Sequence, residues 1–288
     1  MSTAPTIDLS YFPGCSLATT AKESNQALIE CCHKMGIRLI EVPDWNCCGS
    51  SSAHSIDHDL AIDLAGRNLA LAPAGRPLVA ACPSCTLHLK QAQHRLKTDE
   101  GARQRYEKLW GRPFDPDLRV RHFFGPLAEI GPERLAALNG HVGLDLSFVP
   151  YYGCMLNRPY ELRATSEQHG IMERILQGVG MRPLPWAHGS RCCGTFLTVS
   201  RPDIVTPMVS AIMKGAAESG ADCIVTACAM CHMNLEVRCT VRQPIPIFHF
   251  SEILALAHGT HGHRDWFSRH LIDPRPLLVR KGLYPSGK

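Results

Sequence analysis

The sequence has no run of about 18 consecutive apolar residues, the length that suggests a membrane-spanning helix. Its first residues also lack the basic and then apolar layout of a secretory signal, so we expect a cytoplasmic protein. Positive charge is only slightly in excess, because the chain has 30 Lys and Arg and 26 Asp and Glu. This balance gives no reason to expect binding to nucleic acid or to an anionic membrane surface.

Cysteine is abundant, with 14 among 288 residues. Disulfide-rich scaffolds are short secreted chains, and this sequence has neither property. Disorder is excluded as well, because 45% of the residues are hydrophobic and only 19% are charged. In a reducing compartment, so many thiols are typical of metal ligands or redox groups.

Ten of the cysteines form an internal repeat. In each half, a cysteine preceded by glycine is followed by a Cys-Cys-Gly block and then by a Cys-x-x-Cys block. The blocks are separated by 31 and 33 residues in the first half and by 37 and 34 in the second. The repeated residues are Cys15, Cys47, Cys48, Cys82 and Cys85, and then Cys154, Cys192, Cys193, Cys228 and Cys231.

The residues around these blocks alternate between strand-like and helix-like patterns. Apolar runs at 7–12, 78–81, 146–152 and 223–227 lead into cysteines. Apolar residues at helical spacing, such as Leu28, Cys32 and Met35, lie between such runs.

This alternation predicts parallel α/β units. We therefore predict two duplicated α/β domains, Rossmann-like and with mostly parallel sheets, related by pseudo-two-fold symmetry. They occupy about residues 1–140 and 144–258, with an insertion at about 97–116 and a C-terminal tail at 259–288.

Each predicted domain offers five thiols at strand ends, and ligands collect where the carboxyl ends of parallel strands meet. The N-terminus of a helix opened by each Cys-x-x-Cys pair favours thiolate. Adjacent residues of an extended backbone point in opposite directions, so Cys47 and Cys48 suit two different metal atoms. A structural zinc ion or a cubane cluster needs only four ligands. Five thiols thus favour an open or non-cubane iron–sulfur cluster, with a zinc-stabilised scaffold as the alternative.

The twofold order of cysteine, Cys-Cys-Gly and Cys-x-x-Cys resembles the CCG domains in the B-type subunits of heterodisulfide reductases, over about residues 10–250. The resemblance implies two non-cubane [4Fe-4S] clusters, one per domain, each held by the five cysteines of its half and facing the other across the interface. Because a disulfide takes two electrons, two such clusters suit thiol–disulfide redox catalysis in either direction. The direction, the bridging cysteine and the stoichiometry of the complex stay open.

The sequence contains neither a C-x-x-C-x-x-C-x-x-x-C-P ferredoxin run nor a G-x-G-x-x-G dinucleotide site. The resemblance therefore implies two partners, a C-type ferredoxin-like iron–sulfur subunit and an A-type flavin subunit. The opening sequence looks like the bacterial members of sulfur metabolism, whose thiol or disulfide substrate is a small molecule or is carried on a lipoate-binding protein. The alternative is an electron relay between a flavin-dependent 2-hydroxy-acid dehydrogenase and a quinone or other acceptor.

Other candidate residues flank the cysteines. Glycines beside the ligands would let the backbone approach an inorganic core, or are ordinary turn residues. Basic side chains nearby would offset the charge of a cluster or contact an anionic substrate, or are merely solvated. The glycines are Gly14, Gly49, Gly153 and Gly194, and the basic residues are Arg191, Arg158, His54 and His58.

Several residues stand outside this scheme. We expect Cys31, Cys32, Cys223 and Cys239 to be packing residues. His122 and His249 recur in the repeat, and we expect them to have a role near the clusters, to cap helices or to make core contacts. The spacing of His258, His261 and His263 is weak evidence for a metal site, and residues 274–288 form a subunit-contact arm or are disordered.

Overall fold

A computed structural model describes residues 7–137, 143–157, 170–260 and 263–285. Eight strands in these ranges form two sheets of four strands each, and every strand pair is parallel. The strands are β1 (Ile7–Phe12), β2 (Ile37–Glu41), β3 (Leu78–Ala80), β4 (Val120–His122), β5 (Ser147–Tyr151), β6 (Arg182–Pro183), β7 (Cys223–Thr226) and β8 (Ile247–His249).

The first sheet has the order β2-β1-β3-β4 and the second has the order β6-β5-β7-β8. Each strand of one half thus has an equivalent in the other half. This arrangement confirms the duplicated parallel α/β fold that the cysteine repeat predicts.

Helices connect the strands. In the first half they are α1 (Gly14–Ala18), α2 (Lys22–Lys34), α3 (Ala53–Ile56), α4 (His58–Leu71), α5 (Pro83–Thr98), α6 (Glu100–Trp110), α7 (Phe124–Ile130) and α8 (Pro132–Ala137). In the second half and tail they are α9 (Ile171–Gly178), α10 (Pro202–Glu218), α11 (Ala229–Val237), α12 (Phe250–Ala257), α13 (His263–Trp266) and α14 (Arg275–Arg280). No helix among the described residues is both long and apolar enough to cross a bilayer.

The two halves share one hydrophobic core. Phe124 of the first half and Phe250 of the second pack edge to face with their ring centroids 4.8 Å apart, and Phe123 stacks on Phe250 at 6.1 Å. All three rings are buried. Helix α2 packs against α12, and the hydroxyl of Ser251 donates a hydrogen bond to the carbonyl oxygen of Ser24 at 2.8 Å.

The segment interpreted as an insertion contains helix α6, which packs against α4 and α5. Tyr106 is buried, and the ring of Trp110 lies so close to Gly66 that an added Cβ would approach it to 2.6 Å. The charged segment is therefore anchored to the first half by its aromatic residues.

The described part of the tail packs into the core, and its role as a subunit-contact arm stays a prediction. Trp266, Phe267, Leu277 and Leu278 are all buried. These apolar residues stand among prolines and arginines. Their burial therefore could not be predicted from the local composition.

Candidate functional site

All three cysteine blocks of each half follow the carboxyl end of a strand. Cys15 follows β1, the Cys47–Cys48 pair follows β2, and Cys82 follows β3. Cys82 is the N-cap residue of α5, as Cys228 is of α11, so each Cys-x-x-Cys block opens a helix as predicted.

The adjacent cysteines of the first half have different partners. The Sγ atoms of Cys47 and Cys15 are 3.6 Å apart, whereas Cys48 lies 3.4 Å from the Sγ of Cys85. Both distances exceed the roughly 2.05 Å of a disulfide bond. The Cys47 and Cys48 thiols also interact with each other, so the two pairs adjoin.

The second half repeats this pattern. The Sγ atoms of Cys193 and Cys231 are 3.4 Å apart, and the thiol of Cys154 interacts with that of Cys192. Each half therefore presents two thiol pairs, with one further cysteine beside them.

The further cysteines, Cys82 and Cys228, interact with each other across the boundary between the halves. Each also interacts with the second cysteine of its own Cys-x-x-Cys block. The structure thus brings all ten repeated cysteines into one continuous group.

The pKa values of these thiols show that the thiols are crowded together. Interaction with the Cys228 thiol, together with burial, raises the pKa of Cys82 to about 12, whereas the Cys231 and Cys82 thiols lower the pKa of Cys228. Thiols of Cys48 and Cys82, and burial, raise the pKa of Cys85 well above its usual value. The raised pKa values keep Cys82 and Cys85 protonated at pH 7, and thiolates at these positions would need the positive charge of a multinuclear metal centre beside them.

A cavity of about 240 Å³ lies over the cysteines of the second half. Its lining includes all five of them, together with Gly153, Gly194, Met155 and Phe196. Soft sulfur donors on every side suit an iron–sulfur cluster or zinc, and the number of donors favours the cluster.

A larger cavity of about 620 Å³ adjoins the first Cys-Cys-Gly block. Met155 and Phe196 line this cavity too, and four histidines share its wall. The histidines are His54, His58, His88 and His94. A molecule bound there would meet imidazole groups while it lies beside both halves.

The glycines fall into two classes, although all four have a positive φ. A Cβ on Gly14 would lie 2.9 Å from the Sγ of Cys85, and one on Gly153 would lie 3.5 Å from the Sγ of Cys231. Gly49 and Gly194 instead approach Ala53 and Val205, at 2.9 and 3.1 Å. An added Cβ would meet a cysteine sulfur only in the first pair, but the backbone N–H of Gly194 donates a 3.3 Å hydrogen bond to the Sγ of Cys192.

The basic candidates are more dispersed. The Arg191 side chain is exposed, and its carbonyl oxygen accepts a 2.5 Å hydrogen bond from the Tyr151 hydroxyl, which holds the loop before Cys192. His54 and His58 are exposed and line the larger cavity. Arg158 lies outside the described residues.

His249 is the N-cap residue of α12, whereas His122 directly precedes Phe123, the N-cap residue of α7. Nδ1 of His122 accepts a hydrogen bond from the backbone N–H of Phe124, and the His249 side chain takes part in a capping box with Glu252. Burial lowers the pKa of both histidines to about 3, so both are neutral at pH 7.

Two asparagines that sequence reasoning missed hold the Cys-Cys turns. The Asn234 side chain donates a 2.7 Å hydrogen bond to the carbonyl oxygen of Cys193. Asn46 donates to the carbonyl oxygens of Cys47 and Leu64, at 2.9 and 2.8 Å. Asn234 follows Cys231 by three residues in a predicted helix, and this proximity was the available signal.

The cysteine arrangement has a counterpart among known families. The model of the cysteine-rich domain, CCG, matches residues 9–90 and 148–236. This chain belongs to the CCG family. It carries two copies of the domain, and each matched region contains five of the repeated cysteines.

Curated relatives of this CCG protein include subunits of two different reductases and a lactate utilization protein. The chain is 27% identical to the 8-methylmenaquinol:fumarate reductase membrane anchor subunit of Wolinella succinogenes, with 94% of this chain and 99% of that protein covered. It is 27% identical to the B-type subunit of the ferredoxin/F420H2-dependent CoB-CoM heterodisulfide reductase of Methanosarcina acetivorans, over 87% and 89%. Lactate utilization protein A of Exiguobacterium is 23% identical, over 86% and 96%.

A crystal structure of a hypothetical protein from Helicobacter pylori has the same fold. The TM-score is 0.72 at 13% sequence identity, and the match covers 94% of this CCG protein but only 53% of the other chain. The tandem domains and the heterodisulfide reductase relatives together identify the chain as an iron–sulfur redox subunit.

Proposed function

We propose that this CCG protein is the catalytic iron–sulfur subunit of a heterodisulfide-reductase-like complex, with two domains at about 1–140 and 144–258. The ten repeated cysteines would hold two non-cubane [4Fe-4S] clusters, five cysteines to each. The observation that carries the proposal is the interaction between Cys82 and Cys228, which makes the two thiol groups adjoin. One substrate would then reach both centres.

The reaction breaks one S–S bond with two electrons and two protons and yields two thiols, or runs in reverse. When bound, the two clusters would supply one electron each. Met155 and Phe196 would hold the substrate at the junction of the two cavities, because both side chains line both spaces. The exposed His54 and His58 would contact an anionic group of the substrate.

The heterodisulfide reductase relative supports a multi-subunit complex. The expected partners are a ferredoxin-like iron–sulfur subunit and a flavin subunit, and the expected location is the cytoplasm. The substrate would be a thiol or disulfide of bacterial sulfur metabolism, free or bound to a lipoate-carrying protein.

The second candidate function is an electron relay between a flavin-dependent 2-hydroxy-acid dehydrogenase and a quinone or other acceptor. The similarity to lactate utilization protein A favours it. In a relay, the cysteines would hold the clusters, but no substrate would bind to them.

Anaerobic purification followed by iron and sulfide analysis tests the shared part of both functions. We expect brown protein with about eight iron and eight sulfide per chain. Colourless protein with one or two zinc ions and no iron would remove both functions and leave the zinc scaffold.

Electron paramagnetic resonance then separates the two functions. Catalysis predicts a new paramagnetic species when a candidate disulfide is added to the reduced protein under turnover conditions. A relay predicts that the cluster signals stay the same with every disulfide and persulfide tested.

A further inference from the structure

Four ionisable side chains meet between α11, α12 and the tail. His232 and Glu236 belong to α11, Glu252 lies in the first turn of α12, and His270 follows α13. These side chains are at most 10% exposed. Two buried carboxylates at one point need positive charge beside them, which either a protonated histidine or a bound cation can supply.

The distances within this cluster suit a shared cation. One donor atom from each of His232, Glu252 and His270 lies within 4.8 Å of the others. Nε2 of His270 is 3.3 Å from Oε1 of Glu252. This contact is a long hydrogen bond, and the same oxygen accepts another from the Ser24 hydroxyl at 3.3 Å, whereas a short charge-assisted hydrogen bond would be about 2.7–2.9 Å. A tetrahedral metal with bonds of about 2.0–2.1 Å separates its ligand atoms by roughly 3.3–3.4 Å.

One buried imidazole nitrogen of the cluster makes no hydrogen bond to the described residues. Nε2 of His232 is buried and has no hydrogen-bond partner within the described part of the chain. The nearest acidic atom, Oε1 of Glu236, is 3.5 Å away. A buried imidazole nitrogen without a partner is a ready metal ligand.

The surroundings orient the other groups. Oε1 of Glu236 lies 3.4 Å from Nδ1 of His270, on the side of the ring away from Glu252. Oε2 of Glu252 accepts the backbone N–H of His249 at 2.8 Å. A carboxylate behind a ligating histidine is the usual outer partner at zinc sites.

We propose that His232, Glu252 and His270 bind one divalent transition-metal ion, Zn²⁺, with Glu236 as the positioning residue that orients His270. A cavity of about 110 Å³ beside the three ligands has room for a water molecule as the fourth ligand. The ion would join α11, which carries Cys231, to α12 and the tail. Its role is structural, and it holds the helix that presents two of the cysteines.

Metal analysis of the anaerobically purified full chain tests this site. We expect about one zinc per chain in addition to any iron, and a zinc X-ray absorption spectrum with nitrogen and oxygen neighbours only. Zinc surrounded by sulfur would mean that the ion occupies cysteine positions, and this result would overturn the site. Absence of zinc after growth in zinc-supplemented medium would overturn it as well.

Three variants locate the ion. His270→Gln should remove the zinc and leave the iron content unchanged, whereas Glu236→Gln should weaken zinc binding by about 10–100-fold. His258→Gln, at a buried histidine just after α12, should keep the zinc. Retention of zinc by His270→Gln would refute the assignment, and if that variant does not fold, the wild-type absorption spectrum decides alone.

Discussion

Cys82 and Cys228 occupy equivalent N-cap positions in the two halves, and their thiols interact directly. The N-termini of α5 and α11 therefore face each other, and the positive ends of two helix dipoles meet at the sulfur group. Partial positive charge at this point favours the thiolate form that a metal needs. Iron binding in each half should depend on the five cysteines of that half, and this dependence can be measured.

Removal of a single repeated cysteine should abolish iron binding in its own half only. We expect Cys193→Ala to lower the iron content from about eight to about four per chain, because the other five cysteines stay in place. Cys223→Ala is the control, since Cys223 is a buried thiol outside the repeat. Equal iron loss in both variants, by elemental analysis after anaerobic purification, would contradict the assignment.

A methyl group at Gly14 should damage the first half. Its Cβ would lie 2.9 Å from the Sγ of Cys85, at a φ of 71° that other residues rarely adopt. We expect Gly14→Ala to lose about half of the iron. Gly75→Ala is the matched control, because Gly75 has a φ of 74° but has no atom within 4 Å of an added Cβ. If both variants lose the same amount of iron, backbone strain alone is the cause.

The aromatic contact between the halves should dominate stability. We expect Phe250→Ala to lower the free energy of unfolding by about 3–5 kcal/mol, because a buried ring is lost and a cavity remains. Leu109→Ala should change it by less than about 0.5 kcal/mol, since Leu109 is 66% exposed. Urea denaturation of both variants measures the difference, and a similar midpoint for the two would argue against a shared core.

Lys281 of the tail lies near two aspartates, Asp222 and Asp145, and we expect these to contribute differently to stability. Burial by itself would raise the pKa of Asp222, but hydrogen bonds from Ser147 and Lys281 outweigh it, and the pKa is lowered. The ionised carboxylate therefore stabilises the fold above the usual value of 3.8, and this contribution is lost as the pH falls through the folded pKa.

At pH 7 we expect Asp222→Asn to lower the free energy of unfolding by about 1–2 kcal/mol. Asp145→Asn should have almost no effect, because the Asp145 side chain is fully exposed and 3.9 Å from Lys281. Denaturation midpoints at pH 7 compare the two, and equal shifts would show that Lys281 does not discriminate between them.

The cysteine group could be predicted because its pattern is local and repeated. The run at 7–12 became β1 without change, and each Cys-x-x-Cys block opens a helix as the sequence predicts. Strand β6 could not be predicted, since it has only two residues, one of them proline. The proposed zinc ligands lie far apart in the sequence, at His232, Glu252 and His270. No local sequence motif could therefore predict this cluster.

The aromatic stack of Phe123, Phe124 and Phe250 also bears on how such a chain evolves. A fragment that ended between the halves would expose these rings to water and would tend to aggregate. Deletion of either copy of the duplicated gene would then leave the survivor with an exposed apolar face, which makes the duplication hard to reverse.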